Sequence, residues 1–239
     1  MKCAGPILTT LICPVTYDPE KHHCRSIRAR GYDYSSPGYY FINASTQHRE
    51  CFYGEVVRDE MRLNDAGEMV ERWWQKLAEK FVQVELDEHV TMPNHFHRII
   101  VIVDHTRAAA MSMRSCDEFN AANLPGKLVT LGEIVQWFKT MTTNEFIRGV
   151  KESGRQQFDR KLWQRGYFEH VIRKQKSLNN IRRYIRANPL MWPHDRDNPQ
   201  SIDPDKTERL NLANQLGVTK QEFESIVSFD DEYRSRSQA

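Results

Sequence analysis

The stretch that decides the fold is residues 82–105, VQVELDEHVTMPNHFHRIIVIVDH. Its first part, residues 82–92, alternates apolar and polar residues in the manner of a half-buried strand. The apolar run that begins at His95 is typical of a second, buried strand. Pro93 and Asn94 lie between the two runs and form a turn signal. The stretch therefore predicts a β-hairpin whose second strand begins with His-x-His.

Strand and helix signals alternate around this hairpin. Aromatic and β-branched residues favour further strands, predicted at residues 38–46, 51–57, 60–65 and 167–173. Apolar residues at helical spacing favour helices, predicted at residues 67–80, 131–149 and 177–188. The last helix is expected to be capped by Ser177 and to stop at Asn188-Pro189. This order predicts an α+β fold of the ferredoxin-like kind, an antiparallel sheet with helices packed on it.

The chain divides into three predicted parts. Residues 1–30 have no sustained periodicity and are expected to form a loosely ordered arm, residues 31–195 the folded domain, and residues 196–239 a helical extension. A connecting loop is expected at residues 105–130. In the extension, residues 207–227 predict a helix, a glycine turn and a second helix, a pattern that fits both a DNA-reading helix-turn-helix and a plain helical hairpin.

Composition narrows the class of protein. The 239 residues are 39% hydrophobic and carry a net charge of only +2, so any basic surface for nucleic acid must be local. The five cysteines are odd in number and never spaced as CxxC, which argues against disulfides and thiolate zinc. The apolar residues 4–15 are interrupted by Pro6 and Pro14, unlike a signal peptide. These features predict a cytoplasmic protein with no membrane span.

His95 and His97 are the first residues that could carry chemistry. Side chains two apart in a strand share one face, so the two imidazoles are expected to stand side by side and could hold one metal ion. A His-x-His pair also fits satisfied core or surface histidines. The pair alone leaves both interpretations open.

Tyr184 and Asn188 are the second candidate pair. They are four residues apart in a predicted helix, so a phenol and an amide oxygen are expected to point at the same target. The alternative is that Tyr184 is a boundary aromatic and that Asn188 merely ends the helix before Pro189.

Cations cluster around the predicted tyrosine helix. The six cations are Arg173, Lys174, Lys176, Arg182, Arg183 and Arg186, and they are preceded by Lys161, Trp163, Arg165, Tyr167 and Phe168. Cations interleaved with aromatic rings suit single-stranded nucleic acid, whereas an ordinary solvated face is the alternative.

Seven segments, taken in chain order, resemble one known family. They are YDYSSPGYYFI (32–42), RECFYGEV (49–56), MRLNDAGEMV (61–70), LDEHVTMPNHFHRIIVI (86–102), LGEIVQWFKT (131–140), LWQRGYFEHVIR (162–173) and IRRYIRANPLMW (181–192). Each segment is weakly specific, but their order is highly specific. Over about residues 31–195 the chain resembles the REP-associated tyrosine transposases, which are single-tyrosine HUH transposases.

The resemblance implies an activity and assigns roles to residues. It implies a ferredoxin-like endonuclease that cleaves and rejoins single-stranded or hairpin (REP-like) DNA through a covalent 5′-phosphotyrosine, with Mg²⁺ or Mn²⁺. By similarity, His95 and His97 are metal ligands, Tyr184 is the nucleophile, and Asn188 stands where relatives place a third ligand. Arg98 departs from the small or apolar residue usual in relatives, and it either adds a phosphate contact or points away.

The expected partner is single-stranded or hairpin DNA in the nucleoid, bound by a monomer or a homodimer. A domesticated protein that binds hairpin DNA or RNA without cutting it is the alternative from another class. Both functions need the basic aromatic surface, but only cleavage needs the histidines and the tyrosine to converge. A metal-binding structural domain without nucleic acid is disfavoured by the clustered cations.

Overall fold

The computed structural model describes residues 31–104, 129–202, 206–219, 221 and 223–224. The predicted N-terminal arm and nearly all of the predicted loop at 105–130 therefore lie outside the described residues.

The described residues form strands and helices in the predicted alternation. The strands are β1 (Gly38–Ser45), β2 (Gly54–Val57), β3 (Glu60–Leu63), β4 (Val84–Thr91), β5 (His95–Ile102) and β6 (Phe168–Ile172). The helices are α1 (Asp65–Lys80), α2 (Leu131–Ser153), α3 (Gln175–Met191) and α4 (Lys206–Gln215). Within the described ranges, no helix combines the length and the apolar character needed to cross a membrane.

The main sheet has four antiparallel strands in the order β4-β5-β1-β6, and β2 and β3 form a separate hairpin. Apart from that hairpin, the chain order is β-α-β-β-α-β, which with this strand order is the ferredoxin-like arrangement. The predicted fold class is confirmed. Strand β1 lies between β5 and β6, so residues at the start of β5 lie across from the end of β1.

The sheet buries a different cluster on each face. Tyr40 of β1 belongs to the larger core, which includes residues of α1 and α2, whereas its neighbour Phe41 packs with Ile185 of α3. Strand β5 alternates in the same way. His97 stacks on Phe41 on the α3 face, and Arg98 lies over Trp74 of α1 on the other face.

Helix α3 is longer at both ends than predicted. It begins at Gln175, two residues before the predicted Ser177 cap, and no side chain caps it. It also continues through Pro189, so the predicted stop is wrong. Pro189 removes only one N–H group in the last turn, and Met191 is held there by packing against buried Leu212 of α4. Tertiary packing thus extends the helix past its sequence signals.

The described part of the C-terminal region has the predicted helix and glycine turn. Helix α4 is followed by Gly217 with a φ of 61°, a conformation that favours glycine. Leu212, Ala213 and Phe223 form a buried cluster with Leu190 packed against it. This is the packing that a helical hairpin docked on the core requires.

Candidate active site

The two histidines at the start of β5 form the centre of the site. His95 and His97 are completely buried on the α3 face of the sheet. Their Nε2 atoms lie 3.0 Å apart, with the rings nearly perpendicular. Two imidazole nitrogens at this separation offer lone pairs that one cation could share.

Asn94 determines which nitrogen of His95 faces the site. Its amide nitrogen donates to the carbonyl oxygens of Arg49 (2.9 Å) and Asp197 (2.6 Å). The amide oxygen therefore faces His95 Nδ1, at 2.9 Å, and can only accept a proton from it. In neutral His95 the proton is then on Nδ1, which leaves the Nε2 lone pair free toward the site.

Asp195 supplies an acidic group that the sequence analysis missed. Its Oδ2 lies 3.6 Å from His95 Nε2, while its Oδ1 accepts a hydrogen bond from the backbone N–H of Asp197 at 2.7 Å. The possible ligand atoms of His95, His97 and Asp195 all lie within 4.8 Å of one another. The available signal was an acidic pair in HDRDNP (194–199), directly after the tyrosine helix.

Tyr184 reaches the histidines from α3. Its hydroxyl lies 3.4 Å from His97 Nε2, and its ring packs edge-on against the rings of His97 and Phe41. Leu178 and Ile185 are buried in the same cluster and anchor the helix on the sheet. The structure therefore brings the candidate nucleophile and the candidate metal ligands together, although they are about 90 residues apart in the chain.

Asn188 is buried one helical turn after Tyr184. Its side-chain nitrogen donates to the backbone oxygen of Tyr184 at 2.8 Å. That bond uses the amide nitrogen and leaves the side-chain oxygen as the atom that could bind a metal, while Asp195 Oδ2 lies 3.6 Å from His95 Nε2. The assignment of Asn188 as a metal ligand stays a prediction.

Asn43 is a second polar residue that the sequence analysis missed. It lies opposite His97 in the pairing of β1 with β5 and is completely buried. Neither its Oδ1 nor its Nδ2 has a hydrogen-bond partner among the residues that the structure describes. A buried unsatisfied polar group costs about 1–3 kcal/mol, so its presence beside a candidate site calls for a functional explanation. The sequence signal was a lone amide within the apolar strand GYYFINAS.

A cover formed by the segment after α3 closes the site. The Trp192 ring lies over His95, with centroids 6.0 Å apart. The Arg49 guanidinium binds the Asp197 carboxylate at 3.0 Å and holds this segment against the loop after β1. Only 7% of Tyr184 is exposed. The Tyr184 side chain is therefore nearly enclosed by the protein.

Arg98 points away from the site. Its guanidinium is completely buried, binds Glu71 of α1 at 2.9 Å and lies 4.6 Å from the centre of the Trp74 ring. Burial raises the pKa of the Glu71 carboxyl, but Arg98 and the hydrogen bonds from His89 and Thr91 outweigh it and hold that pKa well below its usual range. Of the two roles considered for Arg98, the phosphate contact is therefore wrong.

The predicted cations on α3 do not form one surface. Arg182 makes a bidentate ion pair with Asp87, and Arg186 makes an ion pair with Glu88. Both acidic residues project from an irregularity in β4, where the pairing shifts between Leu86 and His89. These two arginines clamp α3 onto β4, while Arg183 is exposed between them.

The cations around the start of α3 lie at the N-terminal end of the helix. Arg173, Lys174 and Lys176 are exposed, and the Arg173 guanidinium lies 6.0 Å from the Tyr32 ring. At 1.5 Å per helical residue, Lys174 is about 15 Å from Tyr184 along the axis. The DNA contacts assigned to these cations stay a prediction.

Two of the three rings of the predicted aromatic surface, Trp163 and Phe168, are buried, and Tyr167 is half-buried. Trp163 is only 5% exposed, and its indole N–H donates to Thr142 at 3.0 Å. Phe168 is buried in the cluster beneath α3. The prediction that these two rings stack on bases is therefore wrong, because both complete the core. Lys161 and Arg165 remain exposed beside Trp163.

Known proteins resemble this chain in sequence and, more weakly, in structure. A family model described as "Transposase IS200 like" matches residues 126–188, which include α2, β6 and most of α3. An uncharacterized protein of Haemophilus influenzae is 39% identical over 184 residues, covering 75% of this chain and 95% of that protein.

Two solved structures are similar at lower levels. One, "Structure of the REP associates tyrosine transposase bound to a REP hairpin", has 18% identity and a TM-score of 0.41, covering 68% of this chain and 72% of the other. A putative transposase from Deinococcus radiodurans R1 has 13% identity and a TM-score of 0.38, covering 66% of this chain and 94% of the other. The family assignment rests on the family model and agrees with the resemblance seen in the motifs: residues 126–188 match the IS200-like transposase family.

Proposed function

We propose that this protein is a metal-dependent endonuclease that cleaves and rejoins single-stranded or hairpin DNA, with Tyr184 as the nucleophile. The observation that carries the proposal is the convergence of the Tyr184 hydroxyl, 3.4 Å from His97 Nε2, with the paired imidazoles of His95 and His97. A plain structural domain has no need for a phenol at a buried histidine pair.

The donor set fits a divalent cation. His95 and His97 offer nitrogen ligands and Asp195 offers a carboxylate oxygen, a mixed set suited to Mn²⁺ and, through oxygen and water, to Mg²⁺. A cation bound there would supply positive charge that polarises a phosphate oxygen and neutralises charge developing in the transition state. The carboxylate also makes the site net anionic when His95 and His97 are neutral, which favours cation binding.

The protein side chains supply the bond-making step. The Tyr184 oxygen attacks the phosphorus, the bond from phosphorus to the 3′-oxygen breaks, and the phenol proton lost is balanced by a proton taken up on the leaving 3′-oxygen. The products are a 5′-phosphotyrosine and a free 3′-hydroxyl. The reverse attack by a 3′-hydroxyl rejoins the strand, because the covalent bond retains the energy of the broken one.

The partner and compartment follow from the family resemblance. We expect single-stranded or hairpin DNA of the nucleoid, hence a cytoplasmic protein. Tyr184 packs against the sheet of its own chain. We expect the protein to be a monomer or a homodimer.

A protein that binds hairpin DNA or RNA without cutting it is the second candidate function. The observation that favours it is the burial of the site, with both histidines at 0% and Tyr184 at 7% exposure. A chain that never opens the cover over His95 would keep the fold and still bind nucleic acid.

Covalent capture separates the two functions. The protein is incubated with Mn²⁺ and hairpin DNA labelled on the 3′ side of the cut, then denatured and separated by electrophoresis. Cleavage predicts label attached to the wild-type protein and none attached to Tyr184→Phe, which removes one oxygen and leaves the ring packing intact. Tyr167→Phe is the matched control and should keep the adduct.

An adduct that persists in Tyr184→Phe but vanishes in Tyr167→Phe would reassign the nucleophile. Absence of any wild-type adduct, together with retained hairpin binding, would support the non-cleaving function.

A further inference from the structure

Asn43 lies on β1, between the strand that carries the two histidines and strand β6. It is directly opposite His97 in β5 and directly opposite Phe168 in β6. Residues opposite each other in an antiparallel pair share one face of the sheet, with Cβ atoms about 4.5–5.5 Å apart. The amide of Asn43 and the imidazole of His97 are therefore neighbours on the face that α3 covers.

The surroundings of this amide are largely apolar. Phe41, two residues earlier in β1, shares the face of Asn43 and packs against Phe168, with ring centroids 6.2 Å apart. The Phe41 ring also contacts the rings of His97 (5.6 Å) and Tyr184 (6.2 Å). Phe41 and Phe168 offer the amide no hydrogen-bonding atom, and their packing places it beside the cluster that contains the candidate nucleophile.

The position of Asn43 opposes both strand propensity and burial. Asparagine is depleted in strands, and this one is completely buried. Its Oδ1 and Nδ2 both lack a hydrogen-bond partner among the described residues, and β1 is paired with a strand on each side. Removing an amide from water without compensation destabilises the folded state. A local violation of this kind is expected where a side chain serves a ligand instead of the fold.

The ligand that fits the amide is an oxyanion held beside the histidine pair. The amide nitrogen offers two N–H donors and carries no charge. A phosphate oxygen accepts such a hydrogen bond, and the bond strengthens as negative charge develops on that oxygen. A neutral donor suits this place, because a cationic side chain would compete with the metal ion that His95, His97 and Asp195 could hold.

We propose that the Nδ2–H group of Asn43 binds a non-bridging oxygen of the scissile phosphate while Tyr184 attacks the phosphorus. The inference rests on the proposed function for the identity of the ligand. The amide neither gives nor takes a proton, and it supplies one hydrogen bond to the charge that develops on the phosphate. His95 and His97 are also 0% exposed and Tyr184 is 7% exposed, so an opening that brings a phosphate to the hydroxyl also brings it beside Asn43.

Asn43→Leu combined with sulfur-substituted DNA tests the proposal. The variant removes both polar atoms of the amide and keeps a side chain of similar size. Once the cut is mapped with the wild type, hairpin DNA is prepared with a normal phosphate at the cut and in two further forms, in which sulfur replaces one or the other non-bridging oxygen. The rate of covalent adduct formation is measured in single turnovers with saturating Mn²⁺.

Thr142→Val is the matched control. It removes a buried hydroxyl that accepts a hydrogen bond from the Trp163 indole, within the core on the other face of the sheet. Thermal melting of both variants checks folding.

We expect Asn43→Leu to slow adduct formation on normal DNA about 100-fold, the loss typical of one hydrogen-bond donor aimed at developing charge. With sulfur in place of the oxygen that Asn43 contacts, the wild type should be slow as well. Asn43→Leu should then add about threefold or less, because both changes remove the same hydrogen bond. The other sulfur form should keep the full effect of Asn43→Leu. A merely structural asparagine would show no dependence on which oxygen is replaced.

The remaining measurements should stay close to the wild type. Calorimetric titration of Asn43→Leu should give an affinity for Mn²⁺ within about twofold of the wild-type value. Its melting temperature should be at or above that of the wild type, because an unsatisfied buried amide has been removed. Thr142→Val should form the adduct at the wild-type rate.

Three results would overturn the proposal: equal rates for Asn43→Leu and the wild type, the same slowing by Asn43→Leu on all forms of the DNA, or an equal loss of rate in Thr142→Val. A loss of Mn²⁺ affinity of about tenfold or more in Asn43→Leu would also overturn it, because the residue would then act as a metal ligand. Each of these results requires a wild-type adduct. The absence of that adduct would overturn the proposed function and this inference with it, so the two failures are distinguishable.

Discussion

His97 and Arg98 are neighbours in β5, both completely buried and both polar, yet they lie in opposite environments. Arg98 faces α1, where Glu71 compensates its charge and Trp74 covers its guanidinium. His97 faces α3. Its Nε2 lies 3.0 Å from the Nε2 of His95 and 3.4 Å from the hydroxyl oxygen of Tyr184.

The comparison teaches how to separate structural from functional buried polar groups. On the Arg98 face, charges of opposite sign meet and neutralise each other, although Arg98 Nε and Trp74 Nε1 have no hydrogen-bond partner among the described residues. On the His97 face, several groups that can bind a cation converge, and the neighbouring amide of Asn43 is unsatisfied within the described residues. The first arrangement stabilises the fold, while the second is suited to a ligand.

The largest expected effect is on the His97 face. Replacing both His95 and His97 by glutamine should abolish Mn²⁺-dependent nicking, because both nitrogen ligands are lost while the volume stays similar. Calorimetric titration should show that the affinity for Mn²⁺ falls about 100-fold or more, which corresponds to a loss of about 2.8 kcal/mol in binding free energy. Tyr184→Phe serves as the control that loses nicking but keeps Mn²⁺ binding. Full nicking by the double variant would remove the metal assignment.

The next largest expected effect is a pH-dependent loss of folding stability on the Arg98 face. Glu71→Gln leaves Arg98 buried without its counter-charge and should lower the free energy of unfolding by about 3–5 kcal/mol at pH 7. Because the folded-state pKa of Glu71 is lowered, its contribution is complete above the unfolded carboxyl pKa of about 4.3 and declines progressively as pH falls from there toward the lower folded-state pKa. Urea unfolding at several pH values should show the two proteins converging in acid.

Glu79→Gln is the matched control for that variant, since Glu79 is exposed on the same helix. Its stability should stay within about 0.5 kcal/mol of the wild type at every pH. A pH-independent loss in Glu71→Gln would mean that shape, and not charge, is what Glu71 contributes.

A smaller effect separates the two candidate oxygen ligands. Asp195→Asn should weaken Mn²⁺ binding by about 10- to 100-fold, because it removes the anionic donor beside His95. Asn188→Ala should weaken it less, because it removes a neutral oxygen donor whereas Asp195→Asn removes an anionic one. Calorimetric titration of both variants with Mn²⁺ measures the two affinities. A larger loss of affinity in Asn188→Ala than in Asp195→Asn would support Asn188 as the third ligand.

The smallest effect is a gain in stability on the His97 face. Asn43→Leu replaces an unsatisfied buried amide by an apolar side chain of similar size, so the free energy of unfolding should rise by about 1 kcal/mol. Urea unfolding measures the gain, and nicking should fall in the same variant if the amide serves the site. A loss of stability would show that Asn43 has a partner in the folded protein and belongs with the structural groups.

Local patterns predicted the elements because their signals lie within a few residues of each other. The alternation in residues 82–92 and the apolar run from His95 predicted β4 and β5, and the 3.6-residue periodicity predicted α1 and α2. The end of α3 was missed because Met191 is held by α4, a contact that local propensity does not encode. The stacking roles predicted for Trp163 and Phe168 failed for the same reason, since burial depends on the whole core.

The sequence by itself determined the alternation of strands and helices, the shared face of His95 and His97, and the family, since these depend on spacing along the chain. Only the tertiary structure decided that Asp195 joins the histidines, that Asn94 orients His95, and that Arg98 faces away toward Glu71. Each of these arrangements depends on contacts between residues far apart in sequence, such as those of the Asn94 amide with Arg49 and Asp197, and their geometry depends on how the sheet and helices pack. The residue types determine which chemical groups are available, and the packing of the fold determines which of these groups come into contact.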